Sequence, residues 1–287
     1  MRNLTVIALL FFIFAEAKSA ALDSLFGSSI AIKEISNPKL EEISGLAFGK
    51  MNPGVIYVQT DSGGEPAVFI LDSLGNELGK ITLHGVQNRD WEDIAVGPGA
   101  DGQSYIYVGE IGDNLAVHEE IAVFRFPEPK KILPEMKVSP EKITLNFPGG
   151  ARDAEILMID PISADLFILS KRDSVNTLYR LPASDFAKGK ATLEELFKLP
   201  FTSATGGDIS QDGSQILIKN YFAVYLWERK SGESISEALS RNPVKLPYIP
   251  EPQGEAIGFQ PDGKAYYTIS EKRFNAIPVL YRYPAMH

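Results

Sequence analysis

Cysteine is absent from the 287 residues, and histidine occurs three times, at His84, His118 and His287. No disulfide, acylated cysteine or thiolate chemistry is open to such a chain. Its histidines are too few and too scattered for a zinc cage or a Ser-His-Asp triad. Basic residues are also scarce: 28 Lys and Arg face 37 Asp and Glu, a formal net charge of -9. No basic stripe is present, which argues against a nucleic-acid partner. Long apolar runs are missing except for residues 4–15, which follow Arg2 and precede the small residues Ala15, Ala17, Ser19 and Ala20. That order reads as a secretory signal peptide over residues 1–20, with an apolar stretch short for a membrane span. Residues 21–287 are then expected to form one domain without a membrane span, periplasmic or secreted, and a monomer.

What the chain does have is a repeat. An acidic residue opens a short apolar strand at Glu42, Glu92, Glu155, Asp208 and Glu255, a loose period of about fifty residues that suggests propeller blades or solenoid turns. A second strand follows each turn, at Val55–Gln59, Tyr105–Gly109, Asp165–Leu169, Gln215–Lys219 and Ala265–Ile269. Three of the turns contain Asp101-Gly102, Asp212-Gly213 and Asp262-Gly263, which tolerate the positive φ of tight hairpins. Third strands end on proline at Pro127, Pro182 and Pro284, with poorer copies at Ala67–Asp72 and Ala223–Glu228. Fourth strands are expected at Leu78–Leu83, Lys142–Phe147, Leu193–Leu199 and Pro243–Tyr248. The fifth unit lacks one, and the unpaired run Ser28–Ile35 can supply it by joining the two ends of the chain, which removes exposed sheet edges. The reading is an all-β, five-bladed β-propeller of four-stranded blades. The long second unit leaves a six-bladed ring as the alternative. A short helix is expected within Lys230–Arg241, and Lys137–Pro140 reads as a surface loop.

In a propeller the first strand of each blade lines the central channel, so Glu42, Glu92, Glu155, Asp208 and Glu255 are expected to converge there. Carboxylates that close must take up protons, cations or basic partners. A hard divalent cation, Ca²⁺ first, would satisfy several at once. The competing reading pairs the acids with Lys39, Arg89 and Arg152, each three residues upstream of one of them. The loops after the second strands point to the same mouth. They offer Asp61, Glu110 and Asp113 as candidate bases and Lys171, Arg172, Lys219 and Lys272 as candidate contacts for an anionic ligand.

Four segments carry a resemblance: Trp91-Glu92-Asp93-Ile94-Ala95, Tyr107-Val108-Gly109-Glu110-Ile111-Gly112-Asp113-Asn114, Asp153-Ala154-Glu155 and Gln253-Gly254-Glu255-Ala256-Ile257. Together they resemble a set of exported bacterial β-propeller proteins, mostly uncharacterised and loosely similar to phytase-like (esterase-like phytase) propellers. The channel acids are similar, more distantly, to those of the soluble calcium-activated nucleotidases, whose nucleotide-binding segments have no counterpart here. The resemblance implies the fold and a central cation. Two functions follow as expectations: a Ca²⁺-dependent site that binds and hydrolyses an anionic ester such as a phosphoester, or a non-catalytic module holding a protein or glycan.

Overall fold

Short runs of Val, Ile, Leu, Tyr and Phe, punctuated by Asp-Gly and proline, favour strands covered on both faces. The computed structural model describes residues 25–286; the expected signal peptide lies outside them. The first strand is β1 (Ile30–Glu34). Blade 1 comprises β2 (Ile43–Phe48), β3 (Val55–Thr60), β4 (Ala67–Asp72) and β5 (Glu77–Leu83). Blade 2 runs through β6 (Trp91–Pro98), β7 (Ser104–Glu110) and β8 (Ile121–Pro127), then β9 (Glu135–Val138), and ends on β10 (Glu141–Asn146). Blade 3 has β11 (Ala154–Ile159), β12 (Leu166–Ser170), β13 (Thr177–Leu181), β14 (Lys190–Thr192) and β15 (Glu194–Lys198). Blade 4 has β16 (Ala204–Ile209), β17 (Gln215–Asn220), β18 (Val224–Glu228), helix α1 (Ile235–Leu239) and β19 (Val244–Leu246). Blade 5 has β20 (Gly254–Phe259), β21 (Ala265–Ser270) and β22 (Val279–Pro284), and β1 completes it.

The result is a five-bladed β-propeller. Ring closure is antiparallel, with Ile30 opposite Arg282 and Glu34 opposite Val279. Two strands depart from the four-per-blade pattern. β9 leaves blade 2 to pair in parallel with β5 of blade 1, and β14 leaves blade 3 to pair in parallel with β10 of blade 2. The extra length of the second unit is therefore a strand added to a neighbour, which removes the case for a sixth blade. It also corrects the loop expected at Lys137–Pro140, since Lys137 and Val138 belong to β9. Met136 and Val138 alternate with polar residues and pack on the core between blades 1 and 2, which is why the segment is a strand. Gly79 admits the incoming chain: a Cβ there would overlap the backbone of Leu133 and Pro134.

Five buried apolar clusters lie between consecutive blades around the whole ring. Trp91 belongs to the cluster between blades 1 and 2, and Trp227 to that between blades 3 and 4, so both tryptophans are core. Polar staples reinforce the joints. Asp160, after β11, takes two hydrogen bonds from the guanidinium of Arg229, after β18, at 2.8 and 3.1 Å. Both side chains are almost fully buried. Replacing Arg229 with Met would leave the Asp160 carboxylate buried without its counter-charge, and we expect a loss of about 3 kcal/mol. Urea denaturation of Arg229→Met should show a lower midpoint with an unchanged slope; an unchanged midpoint would remove the staple from the account.

Candidate functional site

Every inner strand carries a β-bulge near its start. The pairing register shifts between Ile43 and Gly45, Trp91 and Asp93, Ala154 and Ile156, Ala204 and Gly206, and Gly254 and Ala256. The extra residues are Ser44, Glu92, Glu155, Thr205 and Glu255. A bulge frees one residue from the ladder and re-aims its side chain. In blades 2, 3 and 5 that side chain is a buried glutamate. In blades 1 and 4 it is a hydroxyl that bonds to the next blade, Ser44 Oγ to Glu92 O at 2.6 Å and Thr205 Oγ1 to Gly254 O at 3.2 Å.

Two of the five expected channel acids therefore sit elsewhere. Glu42 precedes β2 and is exposed, with Ser44 in the bulge position of its blade. Asp208 lies three residues beyond the bulge of β16 and accepts hydrogen bonds from Phe259 N at 2.7 Å and Ile209 N at 2.8 Å. It joins blades 4 and 5; burial pushes its carboxyl up to about 7 against those two bonds. An acid-to-acid alignment could not see the bulge, because acidic residues two places before it and three places after it give nearly the same period.

The partners expected from sequence are also replaced. Lys39 pairs with Glu65, Arg152 with Asp173, and Arg89 donates to the carbonyl of Glu120. The cation among the channel acids is Lys171 instead. Its Nζ lies 2.5 Å from Glu155 Oε1 and 3.3 Å from Glu255 Oε1. Tyr221 donates to Glu255 Oε1 at 2.7 Å, and Lys171 stands over its ring. Burial alone would lower the Lys171 ammonium, but Glu155 and Glu255 outweigh it and hold the group above its ordinary value.

Around this triad the carboxyls are crowded. Asp61, Asp90 and Glu92 each bring one oxygen within 4.8 Å of the others, and so do Glu92, Asp153 and Glu155. Glu155 Oε2 and Glu271 Oε1 are buried with no hydrogen-bond partner. Burial, followed by Glu155, Asp61 and Glu255, pushes Glu92 well above the usual carboxylate range. Burial raises Asp61 to about 6, Glu155 to about 8 and Glu271 to about 9, with neighbouring carboxylates adding to each shift. Gly112 makes the packing possible, because a Cβ there would overlap the carboxylates of Glu92 and Asp90.

The remaining predicted residues are spread over the rim. Glu110 ends β7, buried, and accepts from Arg89 N at 3.4 Å. Asp113 is committed to its own loop: it accepts from Val117 N and His118 N, while its N–H donates to Asp153 Oδ1 at 2.9 Å. Arg172 Nε lies 2.7 Å from Asp153 Oδ2, and its guanidinium also reaches Asn114. Lys272 pairs with Glu41 at 2.6 Å at the edge of the mouth. Lys219 is drawn away from the mouth; it is fully buried and donates to Gly254 O. Burial lowers its ammonium to about 8 against the opposing pull of Glu251 and Glu255.

Asp90, Asp153, Glu271 and Tyr221 were not among the expected site residues. The spacing that could have found the first two is Asp90-Trp91-Glu92 and Asp153-Ala154-Glu155, an acid two residues ahead of each bulged glutamate. No protein-family model matches the chain, and no curated protein matches it. Among solved structures it is similar to Kuenenia stuttgartiensis hydrazine synthase, with 13% identity over 80% of each chain and a TM-score of 0.43.

A carboxyl whose pKa is higher in the folded chain than in the unfolded one binds extra protons on folding, so its contribution to stability falls as pH rises through that interval. For Asp61, Glu155 and Glu271 the interval begins near their ordinary values and ends at about 6, 8 and 9. In chelator-containing buffer the melting temperature should fall from pH 5 to pH 8, and Glu92→Gln should flatten that fall. Calorimetry at both pH values checks this; a rising melting temperature would contradict the crowding of carboxyls.

Proposed function

We propose that the protein is an exported, phytase-like propeller whose channel mouth binds a divalent cation, Ca²⁺ by its donor set, and binds and hydrolyses an anionic ester such as a phosphoester. One observation carries the reading: Glu92, Asp153 and Glu155 converge within 4.8 Å, all buried, while Glu155 Oε2 lacks a partner. Hard oxygen ligands gathered in one place suit Ca²⁺ better than softer metals. Glu155 offers Oε2 to the cation and keeps Oε1 for Lys171. Bound there, the cation would supply Lewis acidity and charge neutralisation to the ester.

The protein side chains do the rest. Asp61, raised to about 6, is the best-placed base, since it shares the cluster with Glu92 and lies nearer solvent. Asp113 is occupied by its loop, and Glu110 is buried at the end of its strand. Arg172 and Lys171 supply positive charge beside the carboxyls, and Lys272 stands further out on the rim. The four-segment resemblance to phytase-like propellers and the apolar N-terminal run support the ester and export parts of the reading.

A second reading, a non-catalytic protein- or glycan-binding module, draws on Lys171, which already neutralises Glu155 and Glu255 without any ligand. The test that separates the two is thermal unfolding of the mature protein in chelator, Ca²⁺ and Mg²⁺. A cation at about a hundred times its dissociation constant adds roughly 2.7 kcal/mol, equivalent to about 5–10 °C at this size. We expect that rise with Ca²⁺, its loss in Glu92→Gln, and Ca²⁺-dependent turnover of a chromogenic phosphate ester that falls at least about a hundredfold in Asp61→Asn. No shift with any divalent ion would overturn the cation. A Ca²⁺ shift without turnover across a panel of esters would favour the binding module.

A further inference from the structure

Two buried asparagines make the same set of hydrogen bonds at two joints of the ring. Asn88 Nδ2 donates to Thr60 O at 2.9 Å and to Asp61 O at 2.7 Å, and Asn88 Oδ1 accepts from Trp91 N at 3.1 Å. Asn176 Nδ2 donates to Ser170 O and, at 3.1 Å, to Lys171 O, and Asn176 Oδ1 accepts from Ala204 N at 3.2 Å. Thr60 and Ser170 end β3 and β12, so Asp61 and Lys171 are equivalent first residues after a second strand. Trp91 and Ala204 each stand one residue before a bulge residue, Glu92 and Thr205. Each amide therefore ties the mouth residue of one blade to the bulge of the next.

The two asparagines reach this position from different parts of the chain. Asn88 lies in the segment entering β6, and Asn176 immediately precedes β13. Their common geometry is thus set by the joint and not by a shared local motif. A side-chain amide carries two donors and an acceptor side by side, which is what two carbonyls and one N–H require. Among the described residues, every hydrogen bond between residues 60–64 and the segment entering blade 2 involves Asn88, including Gly63 N to Asn88 O at 3.4 Å.

What Asn88 holds in place is unfavourable by itself. Asp61, Asp90 and Glu92 bring one oxygen each within 4.8 Å of one another, and like charges at that separation repel. Ser62 and Gly63 are exposed, so residues 61–64 have little burial to resist that repulsion. Released, the loop would carry Asp61 away from Glu92 into water. Asn88 opposes this directly, because its amide bonds fall on Asp61 itself and on the residue before Glu92. Within the loop, Asp61 Oδ1 accepts from Ser62 N, which fixes the rotation of the carboxyl.

We propose that Asn88 is a positioning residue, holding Asp61 against Glu92 at the channel mouth so that the Asp61 carboxyl can act as the base. This deepens the ester-hydrolysing reading of the same site and rests on it. Asn176 makes the matching bonds and is also buried, but it serves Lys171. It is therefore the control for the structural cost of losing such an amide.

Because the chain has no cysteine, Ser62→Cys gives a single attachment point for a nitroxide next to Asp61. In chelator the nitroxide spectrum should be restrained when both asparagines are present, mobile with Asn88→Ala, and restrained with Asn176→Ala, although both alanine variants lower the unfolding midpoint. In Ca²⁺, Asn88→Ala should reduce kcat on a chromogenic phosphate ester at least about tenfold with KM unchanged. In an Asp61→Asn background it should have no further effect, whereas a merely structural loss would multiply with that of Asp61→Asn. Should Asn88→Ala fail to fold, Asn88→Asp, which keeps the acceptor for Trp91 N and loses the donors, carries the same expectations. A nitroxide already mobile beside an intact Asn88, one still restrained in Asn88→Ala, or equal mobility in the two asparagine variants overturns the proposal. A wild type without turnover removes the reaction that Asp61 serves and overturns the ester reading together with this one; turnover that Asn88→Ala leaves intact overturns this one alone.

Discussion

Burying glutamates around one ammonium is the constraint on which the channel depends. Lys171 reaches from blade 3 to Glu155 in its own blade and to Glu255 in blade 5, so the ion triad spans the axis. Removing these groups from water is costly, and their mutual attraction repays it only while the geometry holds. One ammonium cannot satisfy the carboxyls that surround it. Glu92, Asp61 and Glu271 are left to protons, to hydrogen bonds, or to a ligand, and that residual demand makes the mouth chemically interesting.

The bulges create this demand. Without them, β6, β11 and β20 would continue their ladders, and the alternation of side chains would set Glu92, Glu155 and Glu255 in a different relation to the axis. The two blades whose bulge holds a hydroxyl use it to bond the next inner strand. Five equivalent backbone positions therefore divide into two that stitch the ring and three that charge it. The same economy appears lower in the channel, where Asp93 accepts from Leu157 N and Asp208 from Phe259 N, each binding a neighbouring blade.

Much of the architecture was legible in the chain. The apolar second strands repeat at a loose period of about fifty residues, three of the turns carry Asp-Gly and three of the third strands end on proline, and the run around Ile30–Glu34 lacked a partner that β22 supplies. The strand β9 was not legible, because four residues pairing in parallel with a strand of another blade leave only the alternation of Met136 and Val138 as a signal. The site was half legible. Glu92, Glu155 and Glu255 were visible as repeated acids; the true partner Lys171 was visible only as a charged loop residue, since its contact with Glu255 joins residues far apart in sequence.

The sequence by itself determined the strand repeat, the way the ends of the chain meet, and the acidity of the inner strands, because those properties rest on local alternation, turn chemistry and composition; that the blades are five and not six was decided by β9, which pairs with blade 1. Tertiary structure alone decided which acids face one another. A bulge shifts register by one residue, and one residue is the difference between a channel carboxylate such as Glu92 and a backbone acceptor such as Asp93. Tertiary structure likewise decided that Lys219, inside β17, is buried against Gly254 and that Lys171, the first residue after β12, is held in the channel, although both stand near the end of a second strand in the chain. Periodicity fixes which face a residue occupies; only the packed ring sets the distances between charges, and those distances govern their protonation and their ligands.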